Sequence, residues 1–233
     1  QILSTKLLQI PRLGAINLHG SLLPKYRGAA PIQYAVWNGE TRTGVTIFQI
    51  VRELDAGPVL GMVETEIGPA ETSGELHDRL AELSVPLMLR VIDDIEHGRA
   101  TPVPQNAAQA TFAPRIPKEA GNIDWSQSAE QIGWHVRAMQ PWPMPFTFLH
   151  RPGSPPLRVL VPEVAKCTAA SGASGSILAA PPGRLFVSTG SGARPTAASA
   201  WFADAAMSPR VSASVPSRSK TRTRRGAITA SPR

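Results

Sequence analysis

The chain has 233 residues, of which 42% are hydrophobic, enough to form a folded core, so a wholly disordered protein is excluded. No apolar run approaches the roughly 20 residues that a membrane-spanning helix requires, so we expect no membrane partner. The formal net charge of +7 comes entirely from residues 209–233, which hold seven basic residues and no acidic one. The single cysteine, Cys167, can form neither an internal disulfide nor a multi-thiolate metal site, which fits a reducing intracellular compartment.

The first predicted elements alternate between strand and helix. Alternating apolar and polar residues at 14–19 predict the end of a strand, which a loop through Pro24 follows. Pro31 suits the first turn of a helix that Asn38-Gly39 would end. Residues 44–50 and 59–67 are rich in β-branched side chains and predict two further strands.

A long helix is predicted after Thr72, because Glu75 three residues later completes the pattern of a capping box. Apolar residues then recur at helical spacing as far as about Gly98. Pro86 lies inside this pattern, so we expect it to kink the helix or to split it. These elements predict a mixed α/β domain over residues 1–99.

The second half opens with residues 100–122, which lack periodicity and are rich in proline, so we interpret them as a linker. Ser128 and Gln131 form a second capping box, which predicts a helix through about Met139. Short strand candidates follow at residues 146–149, 157–164, 176–178 and 185–188. They predict a second domain over residues 123–189, a small β-barrel or sandwich.

The composition changes from Thr189 onward, where leucine is absent and Ala, Ser, Arg, Pro and Thr dominate. Such a segment cannot bury enough apolar surface to offset the entropy lost on ordering. We therefore interpret residues 190–233 as a disordered, low-complexity basic tail, which an out-of-frame read of the gene would also explain. A nucleic-acid-binding arm is the alternative that the basic charge leaves open.

Asn17 and His19 are the first candidates for chemistry, because two residues of separation places both side chains on one face of a strand. An amide beside an imidazole suits carbonyl chemistry, in which the amide polarises the carbonyl and the imidazole stabilises an oxyanion or moves a proton. Asp55 is a candidate partner that would set the tautomer and charge of His19. On spacing alone, such a pair is more often structural than catalytic.

Four motifs together carry a resemblance to a known family. Residues 17–24 read NLHGSLLP, residues 27–33 read RGAAPIQ, residues 44–47 read GVTI and residues 54–57 read LDAG. In this order they resemble the signature of the folate-dependent formyltransferases. Within that family, residues 27–33, 123–126 and 141–143 are similar to the branch that acts on methionyl-tRNA rather than on glycinamide ribonucleotide or amino sugars.

The resemblance extends from about residue 7 to about residue 186 and implies an α/β fold. It implies the C-terminal half of a Rossmann-like formyltransferase domain, followed by a smaller, incomplete OB-like β-barrel that binds tRNA. The family's first half-sheet, with its folate-pocket loops and a basic tRNA-contacting insertion, should precede Gln1. With that part missing from the polypeptide, we expect a poor catalyst although the family consists of enzymes.

The implied reaction transfers a formyl group from 10-formyltetrahydrofolate to the α-amino group of initiator methionyl-tRNA. The resemblance also implies a cytoplasmic, monomeric enzyme that needs no metal. Asn17 would hold the formyl oxygen, His19 would stabilise the oxyanion, and Asp55 would orient His19 and help to relay a proton. The implied folate site is lined by Ser21, Leu22, Leu23 and Pro24.

Two other functions stay open at this point. Formyl transfer to an amino sugar or nucleotide amine predicts a different segment after Arg27-Gly28 and no tryptophan-rich second domain. A non-catalytic RNA-binding fragment predicts a salt-dependent RNA affinity that disappears when residues 209–233 are deleted, together with no folate binding.

Overall fold

The computed structural model describes residues 5–167, 172–178, 185–190 and 199–202. In the first half, the short helix α1 (Thr5–Leu8) precedes strands and helices that form one layered unit. Its elements are β1 (Ile16–His19), β2 (Arg27–Gly28), α2 (Pro31–Trp37), β3 (Arg42–Gln49), β4 (Val59–Glu66) and α3 (Ser73–Glu96). The predicted strands and helices of this half are confirmed to within a few residues.

A three-stranded antiparallel sheet, in the order β1-β3-β4, forms the centre of this unit. Its middle strand β3 is almost wholly buried, with Val45 and Ile47 inaccessible to solvent. Helix α3 covers one face and contributes Leu76 and Leu80 to the same core. Because β3 lies between the other two strands, it fixes the end of β1, where His19 pairs with Thr46.

Helix α3 is a single helix of 24 residues, so the expectation that Pro86 splits it is wrong. The Thr72–Glu75 capping box is formed at its start, as predicted. Pro86 lies on the exposed side of the helix, whereas Leu87 and Val91 are buried. The packing of the buried face outweighs the local loss of one backbone hydrogen bond at the proline.

Residues 100–122, predicted to be a linker, pack against the first unit. Strand β5 (Phe112–Ala113) pairs in parallel with β2, and Val103 forms an antiparallel bridge with Val59. Ala113 and Ile116 are buried in the main core. This segment has little periodicity because it contacts the core at separate points rather than along one face.

The second half contains helix α4 (Ala129–Ala138), which begins at the predicted Ser128–Gln131 capping box. The strands that follow are β6 (Phe146–Arg151), β7 (Ser154–Leu160), β8 (Ala165–Cys167), β9 (Ile177–Leu178), β10 (Leu185–Ser188) and β11 (Ser199–Phe202). Strands β6 and β7 form a hairpin, and the others form a sheet in the order β8-β11-β10-β9. The described strands of this half thus form two sheets, and the incomplete OB-like barrel that the resemblance implies stays a prediction.

Strand β11 corrects the interpretation of residues 190–233 as a disordered tail. Ser199–Phe202 pairs with both β10 and β8 and lies inside the four-stranded sheet. Its residues combine β-formers with small side chains in a segment whose overall composition concealed the strand. Apart from Gly190, the rest of the predicted tail lies outside the described residues, and so does the basic cluster at 209–233.

Helix α4 joins the two halves. The Ser73 hydroxyl donates to the carbonyl oxygens of Ala138 (2.8 Å) and Gln140 (2.6 Å), and Gly74 N–H donates to Gln140. The His135 ring stacks on Trp37 of α2, with ring centroids 5.4 Å apart. The start of α3 and the end of α2 therefore hold α4 in place. In the part of the chain that the structure describes, no helix meets the length and apolarity needed to cross a membrane.

The stacked His135 predicts an acid-sensitive contact between α2 and α4. Burial lowers the pKa of His135 below its ordinary value of 6.5, and its Nε2–H donates to the Ala120 carbonyl oxygen at 2.7 Å. The unfolded chain therefore binds a proton more readily than the folded one, so stability is complete above pH 6.5 and falls as the pH drops below it. Urea midpoints measured between pH 7.5 and 5.5 should fall in the native protein and fall less in a His135→Gln variant.

Candidate active site

His19, at the end of β1, is the centre of the candidate site. Ile16 and Leu18 pack against the main core, so Asn17 and His19 lie on the opposite face of the strand, as predicted from the spacing. The His19 residue is only 5% exposed, and its ring meets Phe48 of β3 edge-on, with centroids 6.3 Å apart. The imidazole is therefore held by the sheet rather than by a mobile loop.

The hydrogen bonds of His19 determine which ring nitrogen carries a proton. Nε2 lies 2.8 Å from the Tyr26 carbonyl oxygen, which can only accept, so Nε2 is the donor. The other nitrogen, Nδ1, faces the Asp55 carboxylate with 3.7 Å to Oδ2. A proton on Nδ1 would be stabilised by that carboxylate, so His19 and Asp55 together can accept and carry a proton.

Asp55 lies in the turn between β3 and β4, with a left-handed backbone (φ 47°) that Asp tolerates better than most residues. Its side chain is 15% exposed, and Oδ2 accepts a hydrogen bond from Gly28 N–H at 2.8 Å. The same oxygen, Oδ2, is thus anchored by Gly28 N–H and lies nearest to His19 Nδ1. The structure brings together the two residues that the sequence analysis paired across 36 positions.

Asn17 differs from His19 in being exposed. Strand β1 is at the edge of the three-stranded sheet, and the Asn17 Oδ1 accepts a hydrogen bond from Leu18 N–H at 2.9 Å. That bond orients the amide so that Nδ2 remains as the donor group. A donor on the same face as His19 is the arrangement that polarises a carbonyl group.

The four residues predicted to line a folate site form a tightly held loop after β1. Ser21 is buried, and its hydroxyl donates to Lys25 O at 2.6 Å. The Thr46 hydroxyl donates to Ser21 O at 2.7 Å and accepts from Leu23 N–H at 3.1 Å. Leu22 and Pro24 are partly exposed, so the loop offers apolar contact surface rather than free hydrogen-bonding groups.

Several groups that shape the site were missed by sequence reasoning. The most important ones are the Tyr26 carbonyl, the Gly28 N–H, the Thr46 hydroxyl and the Gln105 side chain. Two of the four are backbone groups, whose role no side-chain type reveals, and Gln105 comes from the segment interpreted as a linker. Residues 27 and 28 belong to the RGAAPIQ motif, which carries the family resemblance but does not reveal their contacts with Gln105 and Asp55.

The neighbouring loop is fixed by two polar residues that are themselves buried. The Tyr26 hydroxyl donates to Glu40 Oε1 at 2.8 Å, and burial raises the pKa of Tyr26 to about 12. Arg27 is 8% exposed and donates from Nε and Nη2 to Gln105 Oε1. Tyr26 therefore stays protonated at any physiological pH and keeps its hydrogen bond to Glu40. That bond fixes the residue whose carbonyl oxygen accepts from His19.

The described residues contain no group of three or more His, Cys, Asp or Glu side chains placed to hold a metal ion. A cleft of about 520 Å³ lies beside α4, between Trp37, Asn122 and Trp134. None of the predicted site residues lines this cleft. This cleft is therefore separate from the His19–Asp55 pair.

Comparison with known proteins shows which family this chain resembles. Residues 1–92 match the family model described as formyl transferase, and residues 115–194 match that of the formyl transferase C-terminal domain. The methionyl-tRNA formyltransferase of Nitratidesulfovibrio vulgaris (strain DP4) is 46% identical over 160 residues, which cover 69% of this chain and 48% of that protein. The methionyl-tRNA formyltransferase of Akkermansia muciniphila is 41% identical over 193 residues, covering 82% of this chain and 62% of that protein.

Among solved structures, the N-formyltransferase from Helicobacter canadensis, in complex with folinic acid and dTDP-3-aminofucose, matches with a TM-score of 0.63. It is 18% identical, and the match covers 81% of this chain and 65% of that one. This likeness shows the fold alone, whereas the two curated relatives are both named methionyl-tRNA formyltransferase. The chain spans about half to three fifths of the length of these curated relatives. Its two matched regions show that the chain belongs to the formyltransferase family.

Proposed function

We propose that this chain carries part of an enzyme that transfers a formyl group from 10-formyltetrahydrofolate to the α-amino group of initiator methionyl-tRNA. The observation that carries the proposal is the His19–Asp55 pair, 3.7 Å apart, with Asn17 on the same face of β1 as His19, in the region that matches the family model. The relatives named methionyl-tRNA formyltransferase, at 41% and 46% identity, favour this acceptor. We also propose a Rossmann-like first domain, an OB-like second one, a cytoplasmic location and a monomer.

The reaction forms a bond between the amine nitrogen and the formyl carbon and breaks the bond from that carbon to N10 of the folate. The folate supplies the formyl group, and no atom is oxidised or reduced. The proton lost by the amine ends on the folate nitrogen. Negative charge develops on the formyl oxygen during the attack, so donors that face this oxygen lower the barrier.

In this proposal, Asn17 Nδ2 donates to the formyl oxygen, because Oδ1 is already used by Leu18 N–H. His19 stabilises the oxygen through a proton on Nδ1, since Nε2–H is committed to Tyr26. Asp55 holds that proton on His19 by its charge and shares in its transfer. No step needs a metal or a covalent link to the protein, since the amine is itself the nucleophile.

We assign the loop of residues 21–24 to the folate side of the site. Its hydrogen bonds to Thr46 and Lys25 fix the backbone, and the partly exposed Leu22 and Pro24 present apolar surface to a flat ring. A rigid apolar wall suits a folate ring, because a ring buries its faces and needs hydrogen bonds only at its edge.

A radiolabelled formyl-transfer assay tests the proposal, with 10-formyltetrahydrofolate as the donor and three acceptors in parallel. Initiator methionyl-tRNA should be formylated, whereas dTDP-3-aminofucose, the amino sugar bound by the Helicobacter canadensis relative, and elongator methionyl-tRNA should not. Formylation of the amino sugar would favour the second candidate function. Salt-sensitive binding of RNA without folate binding or formyl transfer would contradict both and support an RNA-binding role.

A further inference from the structure

We propose that Arg27 and Gln105 are positioning residues that hold the Asp55 turn against His19. The effect on catalysis rests on the function proposed above, whereas the effect on the geometry of the turn does not. Neither residue reaches His19 itself through any described contact. Both act through the backbone on which Asp55 is carried.

Gln105 makes hydrogen bonds on both sides of its side-chain amide. Its Nε2 donates to the carbonyl oxygens of Asp55 (2.9 Å) and Gly57 (2.8 Å). Its Oε1 accepts from Arg27 Nη2 at 2.7 Å and Nε at 3.1 Å. The amide therefore connects the turn after β3 to β2, across 50 and 78 positions of sequence.

The orientation of this amide is fixed by chemistry. A guanidinium can only donate and carbonyl oxygens can only accept, so exchanging the oxygen and nitrogen of Gln105 would lose all four hydrogen bonds. Arg27 is also 8% exposed, and no carboxylate within 4.0 Å pairs with it in the described part of the chain. A buried positive charge against Oε1 polarises the amide and strengthens the two bonds that Nε2 donates.

The same short strand holds the turn a second time. Gly28, which follows Arg27, donates its N–H to Asp55 Oδ2. Asp55 is thus held through its backbone by Gln105 and through its side chain by Gly28. Its left-handed backbone (φ 47°) needs such support, because this conformation is sparsely populated outside glycine.

The pairing of residues 100–122 with the first domain explains how Gln105 reaches the Asp55 turn. Val103 and Val59 exchange backbone hydrogen bonds of 2.8 Å in each direction, which brings Gln105 beside the turn. The two motifs at residues 27–33 and 54–57 carry the family resemblance. Gln105 joins these two motifs, so the segment between the two domains becomes part of the site.

A Gln105→Glu variant separates positioning from folding. A carboxylate still pairs with the Arg27 guanidinium, but it cannot donate to the two carbonyl oxygens and repels them instead. Gln109→Glu is the matched control, since it makes the same change at an exposed residue of the same segment. Hydrogen exchange of the Gly28 amide, measured by NMR on the labelled native chain and both variants, reports whether Asp55 stays in place.

We expect Gly28 exchange to become about tenfold faster in Q105E, because the turn loses two hydrogen bonds, while Leu80 and Val91 amides in α3 stay protected. Q109E should match the native chain. In the formyl-transfer assay, kcat should fall with little change in KM. An Arg27→Lys variant, with its single donating nitrogen, should show the same changes to a smaller extent. It replaces Q105E as the test if Q105E does not fold.

Unchanged Gly28 exchange in a folded Q105E or R27K would overturn the proposal. A general rise in exchange across α3 would do so as well, because it would mean that these residues support the whole core. If the native chain shows no formyl transfer, the proposed function fails, yet the exchange of the Gly28 amide still decides whether Gln105 positions Asp55.

Discussion

An Asp55→Asn substitution is expected to lower kcat for formyl transfer by about 10²–10⁴-fold, the range typical of losing a proton-transfer group. Asparagine matches aspartate in shape, and its oxygen can still accept from Gly28 N–H, so the turn should survive. The neutral amide can neither accept a proton nor present a negative charge to Nδ1 of His19, which lies 3.7 Å from the same oxygen. The loss should therefore appear in kcat, with the folded structure and KM little changed.

The chain offers a matched control for this substitution. Asp78 lies beside His77 on the exposed face of α3, with 3.0 Å between His77 Nδ1 and Asp78 Oδ1. The Asp78 and His77 side chains are 84% and 67% exposed. An Asp78→Asn variant changes an aspartate–histidine pair of the same chemistry in solvent, and should leave kcat unchanged. Equal losses in the two variants would show that the effect of Asp55 is not local to the site.

Much of the candidate site was predictable because it depends on local sequence. Period-2 alternation correctly placed Asn17 and His19 on the same face of β1, and both capping boxes were confirmed as helix starts. The pairing of His19 with Asp55 followed from chemistry and from the family motifs. The catalytic roles of Asn17, His19 and Asp55 remain predictions.

The remaining features depend on contacts between distant segments. No pattern in residues 100–122 indicates that Gln105 reaches Asp55, since the contact is a single side chain in a segment without periodicity. Strand β11 lies in a segment whose composition favours disorder, and it is held by its neighbours β10 and β8. Pro86 shows the converse effect, because a strong local breaker is tolerated where the opposite face of the helix is well packed.

Replacing Gly57 by alanine should combine a loss of stability with a loss of activity. An added Cβ at Gly57 would lie 1.7 Å from the Gln49 carbonyl oxygen and 2.9 Å from its carbon, which is backbone of β3. The sheet cannot yield there without breaking its pairing, so the turn must move. We expect about 1–3 kcal/mol of destabilisation, typical of overpacking, measured by urea unfolding.

The activity should fall further than stability alone explains, because the Gly57 carbonyl accepts from Gln105 and Asp55 is only two residues away. Gly133→Ala is the matched control: a Cβ there meets nothing within 4 Å, and the residue lies inside α4. That variant should gain roughly 0.5–1 kcal/mol from the better helix former and keep its activity. A Gly57→Ala protein with native stability and native kcat would mean that the turn tolerates displacement, and that the placement of Asp55 beside His19 does not limit the reaction.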